Sequence, residues 1–215
     1  MNKSEALNFV NILKQTYPDA QCSLDFNTPF QLAVAVMLSA QCTDERVNKT
    51  TPILFKKCKT IDDFKNIDIN ELENIIHPCG FYKNKAKNIK LCAKQVIENF
   101  NGKLPHSMPE LLTLSGIGRK SANVIMLEAF GLAEGIAIDT HAKRISNRIG
   151  LSSKTEPEKI EQDLIKIFPK ETLKDINHLF MWLGRNTCEA RNPHCDSCSV
   201  KQFCEFYKKN NQGYT

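Results

Sequence analysis

A chain of 215 residues that is 41% hydrophobic and 25% charged has an ordinary globular composition, with room for one large or two small domains. Its formal net charge of +5 permits nucleic-acid binding without demanding it. The longest apolar stretch, Leu32 to Leu38, is too short to span a membrane and no leader-like segment stands out, so a cytoplasmic protein is expected, and its cysteines are not expected to form disulfides.

In chain order, Ser4 is expected to cap a first helix with Ala6, Phe9, Val10 and Leu13 on one face, stopped at Tyr17-Pro18. Thr28-Pro29 opens a second helix, Phe30 to Ala40, apolar almost all round and therefore buried. Ser39-Ala40-Gln41-Cys42-Thr43-Asp44 is a short turn, with Thr43 starting a third helix. In that turn, Gln41 could present its amide to a base edge. Asp68 and Glu71 have the spacing of a capping box for a short helix ending near His77-Pro78. The glycine turn Cys79-Gly80-Phe81-Tyr82 carries two aromatic residues. Phe81 suits either a wedge in a disturbed duplex or core packing. A long helix is expected from about Asn84 to Phe100. It aligns Lys83, Lys87, Lys90 and Lys94 as a stripe fit for phosphates or for water.

The stretch Leu114 to Ile125, LSGIGRKSANVI, reads as a very short loop between two helices. Gly116 and Gly118 bracket Ile117, and glycine permits positive φ and close approach of another molecule. The amides of Gly118, Arg119 and Lys120 then open a helix N-terminus, where a phosphate fits; a plain helix–helix connection has the same look. Lys120 sits in that first turn. The helix dipole and Arg119 both disfavour an ammonium there, and the neutral amine is the form that builds a Schiff base. Asp139 is expected to cap the next helix, which carries Ala142, Ile145 and Ile149. The helix after the loop rises roughly 16 Å. The segment returning to Asp139 reaches up to about 27 Å, so Asp139 can come back to Lys120. A carboxylate there could stabilise positive charge on a sugar ring or move protons. Thr155, Pro157 and Glu158 open another helix, with Ile160, Leu164 and Phe168 on its face. The last long helix holds Leu173, Ile176, Leu179, Phe180 and Leu183. No convincing alternating strand appears, so the fold class is all-α.

Nine cysteines divide into five scattered ones (Cys22, Cys42, Cys58, Cys79, Cys92), read as small buried hydrophobes, and a C-terminal group. That group has the spacing Cys188-x6-Cys195-x2-Cys198-x5-Cys204. Structural zinc sites usually come as two close pairs. Four cysteines with one close pair and uneven spacers suit a cubane iron–sulfur cluster better.

Taken together, LSGIGRKSANVI, AIDTHAKRI, LSAQCTD and the cysteine spacing resemble the endonuclease III family of DNA glycosylases, from about Thr28 to Cys204. Ser115 stands where that family usually has proline, and Ala142 is smaller than its usual residue. The resemblance implies a two-lobed helical fold with a helix-hairpin-helix motif and a [4Fe-4S] cluster loop. One lobe, residues 22–133, would be a helical barrel holding the hairpin; the other, 1–21 plus 134–215, would hold the cluster on Cys188, Cys195, Cys198 and Cys204. DNA would lie across the cleft between them, with Lys120 as nucleophile and Asp139 as second catalytic residue. Gln41 would fill the gap left by an extruded nucleotide, Asp44 would lie beside the base pocket, and Phe81 would intercalate. Gly116, Gly118, Arg119, His141 and Arg191 would contact DNA, with His194 and Lys201 near the same loop. The cluster is expected to shape that loop, since base excision transfers no electrons.

The implied activity is excision of oxidised pyrimidines from duplex DNA, followed by nicking of the abasic site through a lysine Schiff base. The implied partner is double-stranded DNA with a damaged base or abasic site. The implied state is a monomer, cytoplasmic and nucleoid-associated through DNA. Two other readings have a place. An adenine-specific glycosylase of the same superfamily would generally lack the hairpin lysine and carry a longer C-terminus. A non-catalytic iron–sulfur DNA-binding protein would not depend on Lys120.

Overall fold

The structure is a computed structural model, and it describes residues 1–211. Among those residues it is all helical, with no strand. The contacts divide it into two compact units, residues 23–132 and residues 1–22 with 133–215.

The first unit is built around α2 (Pro29–Ser39), whose residues Phe30 to Leu38 are all buried. Thr28 caps it by accepting from the Gln31 amide, and Pro29 sits where a missing N–H does no harm. A helix apolar on every side needs neighbours all round. These are α3 (Asp44–Lys57), α6 (Tyr82–Phe100) and α8 (Arg119–Phe130). Thr43 caps α3 as expected. Two short helices, α4 (Ile61–Asn66) and α5 (Ile69–Ile76), lie along α6, and α7 (Met108–Leu111) leads into the loop before α8.

In the second unit, α11 (Leu173–Asn186) packs on α1 (Lys3–Thr16) and on α9 (Thr140–Ile149). The unit also holds α10 (Pro157–Ile167) and the short α12 (Glu205–Asn211). Phe9 is its aromatic centre. The rings of Phe168, Phe180 and Phe203 lie 6.0, 6.1 and 5.7 Å from it, the last two edge-on, in the offset geometry that the ring quadrupole favours.

Several local expectations are corrected. Asn2, not Ser4, caps α1, in a reciprocal box with Glu5. Asp68 caps α5 alone, accepting from the amides of Asn70 and Glu71. The Glu71 carboxylate pairs with Lys57 at 2.8 Å instead of closing a capping box. The lysine stripe on α6 is broken: Lys90 turns inward and donates to the carbonyls of Lys65 and Ile67, closing the end of α4. Cys58, Cys79 and Cys92 are buried, whereas Cys22 and Cys42 are half-buried. Burial pushes the thiols of Cys58 and Cys92 up, to about 11 and about 12.

Candidate functional site

The hairpin loop lies between α7 and α8. Gly116 has φ +79°, and a Cβ built on it would stand 2.8 Å from the Met37 sulfur and 3.0 Å from Asn88 Cβ. Only glycine fits. Gly118 is different. Its φ is −99°, an unstrained value, and a Cβ there would meet nothing within 4 Å. It is the N-cap of α8, and no side chain closes that helix end. Lys120 follows as the second helical residue, exposed, with Arg119 half-buried before it. The loop's departure from the family pattern has a physical reading. The Ser115 amide donates to Gln95 Oε1 at 2.8 Å, and its hydroxyl donates to Asn88 Oδ1 at 3.1 Å. A proline could make neither bond. Gln95 also donates to the Thr113 carbonyl at 3.3 Å. Asn88 and Gln95 of α6 thus hold the hairpin, a role that no motif advertised.

Beside the hairpin is an open cleft lined by Gln41, Phe81, Lys85, Asn88, Gly116 and Ser121 among others. Two sequence-predicted residues of its wall are strained. Gln41 has φ +53° and Phe81 φ +48°, in the left-handed region that disfavours side chains. Both are exposed, Phe81 at 67%. Its neighbour Tyr82 is half-buried against the core, its ring tilted 43° to that of His77 with centroids 4.5 Å apart. Core packing is the role of Tyr82 and not of Phe81. Asp44 accepts a hydrogen bond from the Ser23 hydroxyl at 2.7 Å. Lys85, unnoticed in the sequence, is buried; its Nζ donates to the carbonyls of Leu38, Ala40 and Cys79 at 2.8, 2.8 and 2.9 Å.

In the other unit, Asp139 caps α9. Its Oδ1 accepts from the Ala142 amide at 2.7 Å, and its Oδ2 lies 3.2 Å from His141 Nδ1. The carboxylate is 25% exposed, so it is held on one side and open on the other. The His141 ring rests against the backbone of Gly184, where a Cβ would come within 2.7 Å of it.

Cys188, Cys195, Cys198 and Cys204 line a single cavity with Arg148. Among the described residues no three metal-ligating side chains converge as a single ion requires. Four thiols lining one cavity are a donor set that fits an iron–sulfur cluster. Burial first, then the neighbouring cysteines, push the Cys195 thiol above its ordinary range, and Arg148 opposes this. Burial and the same neighbours push up Cys198, partly offset by the Val200 amide. Thiols that oppose one another's ionisation are a donor set in want of cations. Arg148 donates to Cys188 Sγ at 3.4 Å and to the carbonyls of Glu189 and Ala190 at 2.6 and 3.0 Å. Arg144 donates to the Cys188 and Gly184 carbonyls at 3.0 and 2.9 Å. The sequence did not single out either arginine. Arg191 is exposed in this loop, whereas Lys201 turns its ammonium to the Asp196 carbonyl at 2.6 Å.

An all-helical fold in which a glycine-bracketed hairpin opens a helix that no side chain caps is that of a helix-hairpin-helix DNA-repair protein. The chain belongs to the HhH-GPD superfamily of base excision DNA repair proteins, whose family model matches residues 34–170. It is 46% identical over 202 residues to endonuclease III of Synechocystis sp., covering 94% of this chain and 92% of that protein. Among solved structures it is similar to a non-covalent endonuclease III–DNA complex, with a TM-score of 0.90 and 39% identity, covering 99% of both chains. It is equally similar to a trapped endonuclease III–DNA covalent intermediate, with a TM-score of 0.90 and 39% identity over 98% of this chain and 99% of that one.

Proposed function

We propose that this chain is a bifunctional DNA glycosylase and abasic-site lyase of base excision repair, acting on duplex DNA with an oxidised pyrimidine or an abasic site. The observation that carries the reading is Lys120. It is an exposed lysine in the first turn of a helix whose N-terminus no side chain closes, reached through a hairpin whose first glycine holds a positive φ and a crowded position. A relative of near-identical fold has been captured covalently on DNA, and a lysine amine is the group here suited to that bond.

Extrusion of the damaged nucleotide comes first and costs least for a base that stacks and pairs poorly. Gln41 and Phe81 occupy the space it leaves, and the backbone at Gly118 and the side chain of Arg119 approach the strand's phosphates. The neutral Lys120 Nζ attacks C1′, and the base departs with its bonding electrons and takes up a proton. Asp139 stabilises the cation-like sugar through Oδ2, the oxygen beside His141, while Oδ1 caps α9. The sugar ring opens to a protonated Schiff base on Lys120. Loss of a C2′ proton then expels the 3′ phosphate, and water hydrolyses the Schiff base to free the enzyme. Asp44 borders the base pocket, and His141 orients Asp139.

The four cysteines hold a [4Fe-4S] cluster in this reading, with Arg144 and Arg148 bracing its first ligand. When bound, the cluster staples the loop that presents Arg191 to the DNA backbone. The protein works as a cytoplasmic monomer. No helix among the described residues is long and apolar enough to cross a membrane.

Product analysis tests the substrate class. Duplexes carrying thymine glycol, a urea residue or 8-oxoguanine are incubated with the protein. Release of oxidised pyrimidines with a β-elimination end supports the reading, and preferential release of the purine refutes it.

A further inference from the structure

We infer that Lys85 is a positioning residue that ties the two DNA-probing loops together, and that its buried ammonium sets how Gln41 and Phe81 enter the duplex. The inference rests on the roles proposed above for those two residues.

Lys85 is only 6% exposed. Among the described residues no carboxylate pairs with it. All three of its N–H donors go to backbone carbonyls, at 2.8, 2.8 and 2.9 Å. A buried ammonium without a carboxylate is a costly way to fill a core position. Burial accordingly lowers its pKa, opposed by the thiols of Cys42 and Cys79. The chosen acceptors make sense of the cost. Leu38 and Ala40 lie at the end of α2, where carbonyls lack intrahelical partners. Ala40 directly precedes Gln41, and Cys79 is two residues before Phe81. One ammonium therefore clamps the two segments whose next residues are strained, at φ +53° and +48°. Gly80 between Cys79 and Phe81 has φ 69° and ψ 161°, a conformation essentially reserved for glycine. Such strain persists only where surrounding contacts over-determine it. Lys85 also ties the helix to the second loop, since its own amide donates to the Phe81 carbonyl at 3.1 Å. All of these residues belong to one unit, and Ala40, Gln41, Phe81 and Lys85 share one cleft wall.

The test compares single-turnover excision of thymine glycol in two duplexes. In one the lesion faces a normal nucleotide; in the other the opposing nucleotide is missing, so the lesion is unpaired and leaves the stack with little help from the probing residues. The paired-to-gapped rate ratio reads their action and is indifferent to a general loss of folded enzyme. Lys85→Met should lower this ratio at least tenfold, as should the double variant Gln41→Ala with Phe81→Ala. Adding Lys85→Met to the double variant should change the ratio less than twofold further. An equal loss on both duplexes, or effects that multiply, would overturn the inference while leaving the roles of Gln41 and Phe81 intact. A double variant with an unchanged ratio would overturn those roles and this inference with them. If Lys85→Met does not fold, Lys85→Gln takes its place, read by backbone hydrogen exchange. Acceleration confined to residues 40–44 and 79–82 supports the clamp, and uniform acceleration across 23–132 refutes it.

Discussion

Replacing Gly116 and Gly118 separately by alanine asks whether the hairpin's two glycines do different jobs. At Gly116 the new Cβ must sit at φ +79°, 2.8 Å from the Met37 sulfur and 3.0 Å from Asn88 Cβ. The left-handed backbone costs a side chain about 1 kcal/mol or more. Overpacking adds roughly 1–3 kcal/mol, reduced where Met37 can swing away. The sum is about 2–4 kcal/mol, which in a chain of this size lowers Tm by roughly 5–12 °C. At Gly118 the backbone is ordinary and the space empty. Alanine there costs only the weaker helix cap, about 0.5–1 kcal/mol. Its methyl would instead stand between the open end of α8 and a phosphate. The assay pairs thermal unfolding with fluorescence anisotropy on a duplex containing a stable abasic analogue. Gly116→Ala should unfold early, and Gly118→Ala should melt within a few degrees of the parent and bind DNA at least tenfold more weakly. Equal melting temperatures for the two variants would refute the reasoning from φ and space. Undiminished binding by Gly118→Ala would refute the phosphate site.

Asp139→Asn keeps an oxygen for the Ala142 amide, so its unfolding free energy should stay within about 0.5 kcal/mol of the parent while base release falls a hundredfold or more. Asp139→Ala loses the cap as well and should cost about 1 kcal/mol, so equal stabilities for the two would deny the cap its role. Arg148→Ala removes donors from Cys188 Sγ and from the carbonyls of Glu189 and Ala190. Iron content per chain, measured by a colorimetric assay, should fall below half of the parent's, and an unchanged count would detach Arg148 from the loop. The raised thiols of Cys58 and Cys92 give stability a sign with pH. Unfolding lets each lose its proton near its ordinary pKa of about 9, so the unfolded state binds fewer protons above that pH and stability falls. Each contributes up to about 1.4 kcal/mol per pH unit from about pH 9 upward. Urea unfolding at pH 8 and pH 10 should show a smaller loss in Cys92→Ala than in the parent, whatever cavity the substitution leaves; identical losses would contradict a buried neutral thiol.

What could be read in the sequence and what could not divides along a physical line. The hairpin was legible because glycine spacing and a helical apolar period are both local signals, and α2 was legible because nine consecutive buried residues leave no polar face. The short α4 escaped notice, since six residues with one buried side chain, Phe64, give no period to detect. Lys90 looked like one of a solvated stripe, because its acceptors are carbonyls of Lys65 and Ile67, and carbonyls carry no residue identity. Lys85, Arg144 and Arg148 were invisible for the same reason: their partners are chiefly backbone carbonyls, of helices and of loops, that come close only on folding. Gln41 and Phe81 were legible as residue types; their positive φ was not, because nothing in the sequence forces a side chain into that region.

The central claim is that Lys120 is the nucleophile, and covalent trapping tests it most directly. Duplex DNA carrying thymine glycol is incubated with the protein in the presence of borohydride and resolved on a denaturing gel, beside a Lys120→Ala variant whose melting temperature matches the parent. The account predicts a stable protein–DNA adduct with the parent and none with the variant. An adduct of equal yield from Lys120→Ala, or base release by the parent with nothing trapped, would contradict it.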